Sequence, residues 1–597
     1  MMPVKKGKRM GFRRYRIILF ALIFFIGAVA SGFSQYSVDP NDEIYRYLDL
    51  WEGAGLVRQL PLVRPYPEPV LRTILERVVQ SGDRDAAAIA YRYLNDLTQP
   101  ISSSIAVEHE SRSDIDGYSG KVGTGAAIQG RLTDTITFTG AMTGYVLDVE
   151  QGELLPESER TTYDIIEDNA RFGVAGREIE TLLEVLSGVS VGTPELNFQA
   201  MMGRRSFGPF HEDSVVWSNY APQTANFVLS FEKERFSYTA ALLSARAVSR
   251  FKDVETVDDL TNADLITLYD DPVENIAFQV IEDSEEGPGK FIHLQAYTFR
   301  PTDRLSLTLF ESVVFGPVFQ VGYLIPFKFL FQAQGLIGFA DNSFLGLSAD
   351  YRIADRLRLP FIVYVDDANF NDIMTLHFDT KANLALQTGL VWTPLGPVIH
   401  QVSVDYTAVT PYMYAHDGPG LYSTEPNYTN YLQGTTSLGS GLEPNSDRIA
   451  VALRTQPLPG LSADVKLRFM RHANASEGVL DGYGNDGSVY DDGRTFEFVE
   501  SATDETVAVY DQGRASYMDE LRFLTQEHIQ KTWQAGIDLS FPIAVGKGVL
   551  TLEGGYLFEY VQDPIEYQWD ATTFTGETVT LDDTVDHYVS AGLRYLF

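Results

Sequence analysis

The sequence predicts a mainly β fold, a transmembrane barrel of about eighteen antiparallel strands with a small N-terminal α-helical domain. Three observations point there: a basic then apolar leader, long stretches of period-two alternation, and a last strand that ends on an aromatic residue. The leader carries Lys5, Lys6, Lys8, Arg9, Arg13, Arg14 and Arg16, then IILFALIFFIGAVA, then small residues from Ala30 to Ser34. That apolar core of about 14 residues falls short of the roughly 20 a spanning helix needs, so residues 1–34 read as a cleaved secretory signal peptide.

No later apolar run approaches a transmembrane helix, because charge, Gly or Pro interrupts each one. Membrane entry is therefore expected through strands closed into a barrel, the other structure that satisfies every backbone polar group in lipid. Composition agrees, with 12% aromatic residues, 49 Gly and no Cys. Lacking Cys, the chain holds no disulfide scaffold, thiol nucleophile or Cys-ligated metal. Without the seven leader bases, 39 Lys and Arg stand against 81 Asp and Glu, a charge of −42 that repels nucleic acid.

Residues 35–100 have helical spacing, in DEIYRYLDLWEGAGLV, PEPVLRTILERVV and DAAAIAYRYLNDL. Asp39 or Asn41 is expected to cap the first helix, Gly55 to lie near its end, and Pro65, Pro67 and Pro69 to separate it from the second. Three short amphipathic helices make too small a core to stand alone and should pack against the rest of the chain.

The barrel should occupy residues 101–597, where the period changes to two. ITFTGAMTGYV sets Ile136, Phe138, Met142 and Val146 against Thr137, Thr139, Thr143 and Tyr145. RIAVALR, SADVKLRFMR, WQAGIDLSF and LTLEGGYLFEY repeat the pattern, with Asp464, Lys466, Arg468, Asp538, Glu553 and Glu559 on the polar side. A soluble sandwich alternates in the same way. The leader and the closing strand HYVSAGLRYLF favour a membrane barrel, whose polar face lines the lumen. In that strand Val589, Ala591, Leu593, Tyr595 and Phe597 share one face, and Tyr595 and Phe597 resemble the terminal signal read by the barrel-assembly machinery. Long connections near 250–289, 408–446 and 472–528 are expected outside the cell, with short turns and both termini in the periplasm. A barrel of this size encloses water unless loops or side chains plug it.

At 200–246 the chain carries Gly203-Arg204, Gly208-Pro209, Ser218-Asn219-x-Ala221-Pro222 and Phe236-Ser237-Tyr238. These motifs, with RLSLTLFESVVFG, YLIPFKF, GFADNSFLGLSADYRI and LRLPFIVYVDD further on, resemble the capsule-assembly Wzi family of outer-membrane proteins over about residues 38–400. The family's usual Gly-Pro-Gly is here Gly208-Pro209-Phe210, so that turn is expected to be rebuilt. The resemblance implies an eighteen-stranded barrel in the bacterial outer membrane, occluded inside, with a periplasmic helical bundle. It further implies a monomer without enzyme activity that holds surface polysaccharide at the cell exterior.

Glu311, Asp341, Asn342, Asp366 and Asp367, with Arg204 and Arg205, are candidates to hydrogen-bond sugar hydroxyls. Strand parity places Glu311 with Leu305, Leu307 and Leu309, hence near a rim unless a bulge intervenes, and puts Asp366 and Asp367 at a strand end. The blander reading is a network of these carboxylates with Arg204, Arg205, Arg352 and Arg358. Tyr412, Tyr414 and Tyr422, like Tyr428, Tyr431, Tyr483 and Tyr490, could stack on sugar rings or pack loops onto the barrel. Asp481–Asp492 is rich in oxygens but fails EF-hand spacing, so no metal is expected. No G-x-S-x-G or HExxH occurs, and His211, His293, His377 and His400 lack metal-ligand spacing. Neither catalysis nor a cofactor is expected. The rival to polysaccharide binding is a diffusion channel whose ion preference is set by lumen charges, with a barrel enzyme third.

Overall fold

The structure, a computed structural model, describes residues 39–596 except 59, 99–100, 114–117, 149–169, 175–176, 248–288, 338–340, 369–381, 395, 397, 412, 415–427, 435, 474–494, 501–505, 512–522, 527, 547 and 571–574. The leader, Tyr412, Tyr422, Tyr483, Tyr490, His377, Phe597 and the 481–492 segment lie outside the described residues.

Helices α1 (Glu43–Ala54), α2 (Glu68–Val79) and α3 (Arg84–Thr98) form where the apolar residues recur every three to four positions. Ile44, Tyr45, Leu48 and Trp51 of α1 pack on Leu71, Leu75 and Val78 of α2 and on Ala86 and Ala90 of α3. The N-cap of α1 is Asp42, one residue beyond Asn41. Asp39 and Asn41, the expected caps, are drawn to the barrel instead: Asp39 pairs with Arg204 at 2.9 Å, and the Asn41 amide donates to the Asn219 carbonyl at 3.0 Å. The helix ends at Gly55 in the left-handed conformation, φ 82°.

Gly53 lies against Thr393, just past the end of a barrel strand, since a Cβ there would lie 2.2 Å from Thr393 Oγ1. Ala normally favours a helix over Gly by about 1 kcal/mol. Here the sign should reverse: Gly53→Ala is expected to loosen the docked helices, read as faster hydrogen exchange in α1, and Thr393→Ala should restore part of the loss.

The barrel strands are β1 Ile101–Ser113, β2 Tyr118–Thr133, β3 Ile136–Asp148, β4 Arg177–Gly192, β5 Leu196–Gly203, β6 Thr224–Glu232, β7 Phe236–Arg246, β8 Gly289–Thr302, β9 Leu305–Phe315, β10 Asn342–Ala354, β11 Leu357–Ala368, β12 Ala382–Trp392, β13 Ile399–Val409, β14 Ser446–Leu458, β15 Leu461–Ala473, β16 Ile529–Val545, β17 Gly548–Gln562 and β18 Thr584–Leu596. Each pairs antiparallel with the next, and β18 closes on β1 from Ala106↔Leu596 to Ser113↔Val589, giving a closed barrel of eighteen strands. Closure leaves no unpaired edge for lipid to meet. A short strand, Ala170–Val174, pairs with the start of β4.

Outward side chains are apolar and exposed all round the wall, among them Met142, Leu183, Phe227, Leu347, Trp392, Leu467, Trp533 and Leu593. This is the band that a hydrocarbon layer covers. The helices stand at the mouth where β1 begins, the mouth of the short turns such as Thr133–Ile136 and Thr302–Leu305.

Candidate functional site

The expected polar lumen is found along only part of the wall. Asp464 meets Arg46 of α1 at 2.6 Å, Arg468 donates to Gln534 at 3.3 Å, and the Gln534 amide donates to Glu559 at 2.5 Å. From β6 to β13, by contrast, the inward face is an apolar core: Ala241, Leu243, Ile292, Leu294, Phe310, Phe344, Ile362 and Val409 are all buried. Two connections that leave the far mouth complete it, residues 204–223 and the described parts of 410–445, which bring Phe207, Val216, Trp217, Met413, Tyr414, Tyr431 and Leu438 inward. Rings run across the lumen from Phe207 to Phe310 (4.8 Å between centroids), Tyr364 (5.6 Å), Phe344 (5.0 Å) and Tyr431 (5.0 Å), then Tyr414 (5.8 Å). Tilted and stacked rings at such spacings pack as a solid core, so this part of the barrel is filled.

The motif residues of 203–222 form the seam that ties this plug to the helical domain. Val63–Arg64 pairs antiparallel with Ser206–Phe207, and Gly208 N–H donates to the Leu62 carbonyl at 2.8 Å. Arg204 bridges Asp39 and Glu184 at 2.9 and 2.8 Å. Arg205, 3% exposed, donates to Asn226, Gln199 and the Pro65 carbonyl. Ser218 N–H donates to the Leu438 carbonyl at 2.9 Å, which joins the two plug segments, and Asn219 bonds Asn41. Ala221 is buried in the core, and Phe210, which follows Gly208-Pro209, packs against that core. Gly208-Pro209 is a cis peptide. Asp213 fixes the plug to the polar wall by pairing with Arg448 and accepting from Ser440 and Gly441 N–H, while Glu212 pairs with Arg454 at 2.6 Å. His211 shares a hydrogen bond with Ser206 Oγ at 2.9 Å, a structural contact.

At the helix-bearing mouth a polar cleft is lined by Asp49, Glu52, Arg64, His211, Asp350, Arg352 and Arg358. Arg358 pairs with Glu52 at 2.8 Å and with Asp350, and Arg352 donates to the Glu52 carbonyl at 2.7 Å. Burial pushes the Glu52 carboxyl above its ordinary range, with the Arg358 guanidinium pulling against it. Burial alone would lower the Arg64 pKa, but the Asp49 carboxylate beside it wins and holds it above its usual value. The buried Tyr66 hydroxyl is pushed up by desolvation.

The remaining candidates fall in different places. Asp366 is buried at a bulge in β11, between Val365 and Asp367, as the parity argument expects of a strand end. Asn342 is buried opposite Val314. Tyr414, open in the sequence between stacking on a sugar ring and packing a loop onto the barrel, is fully buried with its hydroxyl donating to the Val215 carbonyl at 2.7 Å, so it packs the plug. Among the described residues Arg204 and Arg358 pair with Asp39, Glu184, Glu52 and Asp350, away from Glu311 and Asp341.

Glu311 is corrected in position. It keeps the outward face of Leu307 and Leu309, in unbroken register with Gln295 and Leu345, yet is only 6% exposed in mid-strand. The β9–β10 connection folds back over the outside of the wall and covers it, a third option that neither rim nor bulge anticipates. Tyr238 and Asp341 belong to the same buried strip: Tyr238 donates to Gln295 at 2.8 Å, and Tyr323 of the connection donates to Asp341 at 2.6 Å. Ser237 is buried one residue away, and Phe236 lies near Phe231. Tyr595 donates to the Val545 carbonyl at 3.1 Å, bracing the β16–β17 turn against the closing strand. No group of three or more potential metal ligands occurs among the described residues.

Closed pairing, an apolar outer band and folded-in loops define the class: an outer-membrane-type β-barrel with part of its lumen filled. Neither a family profile nor a curated protein matches the chain. Among solved structures it is similar to Escherichia coli Wzi, described as an outer-membrane protein involved in group 1 capsule assembly and a carbohydrate-binding β-barrel. The two share 10% identity over 93% of this chain and 98% of that one, with a TM-score of 0.48. It is also similar to Pseudomonas aeruginosa OccD3 (11% identity, 84% and 91% covered, TM-score 0.39) and Acinetobacter baumannii OccAB2 (12%, 83% and 98%, 0.41).

Proposed function

We propose that this protein binds or anchors a surface polysaccharide of capsular type at the cell exterior, as a non-conducting barrel exported by a cleaved signal peptide. The observation that carries the reading is the core that fills part of the lumen, because a core built from two inturned connections serves retention better than passage. The motif resemblance supports it, since Arg204, Arg205, Gly208 and Asn219 hold the plug to the helical domain. Polysaccharide recognition then falls to the far mouth, where the long connections emerge, and no catalytic step belongs to it.

One observation favours a channel: Asp464, Arg468 and Glu559 line a polar stretch of wall beside the core. Planar-bilayer recording separates the two. The anchor reading expects little stable conductance, with glycan binding lost when 472–528, which adds nothing to the lumen core among the described residues, is shortened. A large, stable conductance whose ion preference shifts in Lys466→Glu would replace it with the channel.

A further inference from the structure

Residues 316–337, which come after β9, contain one charged side chain, Lys328, in a protein of net charge −35. This strap descends along the outside of the barrel. Its helix α4 (Leu330–Ile337) and Tyr323 seat on the outward residues Val313 and Phe315, which are fully buried beneath it. Phe327 stacks on Tyr238 at 4.5 Å. Tyr238 pairs across the sheet with Tyr297, and Tyr297 with Leu309, so Phe327 lies level with Leu309, six residues below the end of β9. At about 3.3 Å per residue that is roughly 20 Å of strand. Leu309 and its partner Leu347 are 41% and 44% exposed and belong to the lipid-facing band.

An irregular segment at that depth needs partners for its backbone, because hydrocarbon offers none. The polar strip on the outer wall supplies them. Gln295 donates to the Lys328 carbonyl at 3.3 Å, Glu311 faces the first N–H groups of α4 at Leu330 and Phe331, and Gln334 reaches back to the Asp341 carbonyl. The opposite surface of the strap is apolar: Val318, Val321, Phe327, Phe329, Phe331 and Leu336 are 52–80% exposed. It continues the exposed Phe299, Leu307 and Leu345 of the neighbouring strands.

We propose that the strap is an intramembrane element, its apolar surface seated among lipid acyl chains while Tyr238, Gln295 and Glu311 hold its backbone, and Asp341 its Tyr323 and Gln334 side chains, to the barrel. This stands apart from the polysaccharide reading. The native chain has no Cys, so Leu336→Cys and Phe331→Cys each give a single thiol for an environment-sensitive dye. Leu347→Cys, facing lipid, and Asp355→Cys, in an exposed turn, are the references. In vesicles of the full-length protein, the strap dyes should lose most of their fluorescence to phospholipids brominated on the acyl chains and little to aqueous iodide, as at Leu347→Cys. Quenching by iodide as at Asp355→Cys would overturn the proposal. So would protection from both quenchers together with thiol crosslinking between copies, which would make the strap a subunit interface.

Discussion

Arg358→Ala is expected to release the helical domain from the barrel, at a cost of about 3–5 kcal/mol, because it strands two carboxylates that share one guanidinium. Glu52 and Asp350 both depend on Arg358, and the Glu52 and Arg358 side chains are only 8% and 10% exposed. The sign with pH comes from Glu52, whose carboxyl burial already raises above its ordinary 4.5 against the pull of Arg358. Without the arginine it rises further. A carboxyl raised in the docked state favours docking when protonated, and that contribution is lost as pH rises through the docked-state value. The defect should therefore be largest at neutral pH, shrink towards and below 4.5, and be partly relieved at neutral pH by Glu52→Gln. Limited proteolysis of the helices across this range measures it; a defect independent of pH would show that Glu52 is not the stranded charge.

Phe310→Ala should weaken the filled half of the lumen by a similar amount, about 3–5 kcal/mol for a buried aromatic truncated in a close-packed core. Its ring is fully buried between Phe207 and Tyr364. Directly across the sheet is Gly346, where a Cβ would fall 2.0 Å from the ring. Gly346→Val alone should thus also destabilise, by overfilling. Combined with Phe310→Ala it occupies part of the void, so the double variant should lose less than the two single losses added. The denaturant midpoint of the refolded barrel reads all three, and strict additivity would mean that the two sites do not share the space.

How far the sequence could be read depends on how many faces of a strand are asked to be apolar. Strands β3, β15 and β16 have one apolar and one polar face, and their orientation was legible from Met142, Leu467 and Trp533 alone. The helices were legible for the same reason, at a different period. Strands β7 to β9 are apolar on both faces, since Leu243, Ile292 and Val314 face the plug while Leu242, Phe291 and Val313 meet the strap. Period-two reasoning has no contrast to work with there, so the lumen core stayed hidden. Glu311 had the opposite fault: parity placed it on the correct face, but only folding brings a remote segment over that face. Arg204, Arg205, Ser218 and Asn219 were singled out by motif, yet their partners Asp39, Pro65, Leu438 and Asn41 are far away in sequence.

The docked helices carry a kinetic consequence. Arg46 bonds Asp464 across 418 positions, and Arg352 bonds Glu52 across 300. Contacts of such separation form late, because a long loop must be closed before they bring any gain. The three helices have their own core and can coil early, but the surface they dock on exists only once β10, β11 and β15 are in place. Through most of assembly the basic and acidic flank of α1 therefore waits in water, where it is at ease, and the last large event is the capping of a nearly finished cylinder by a segment synthesised before any of its strands.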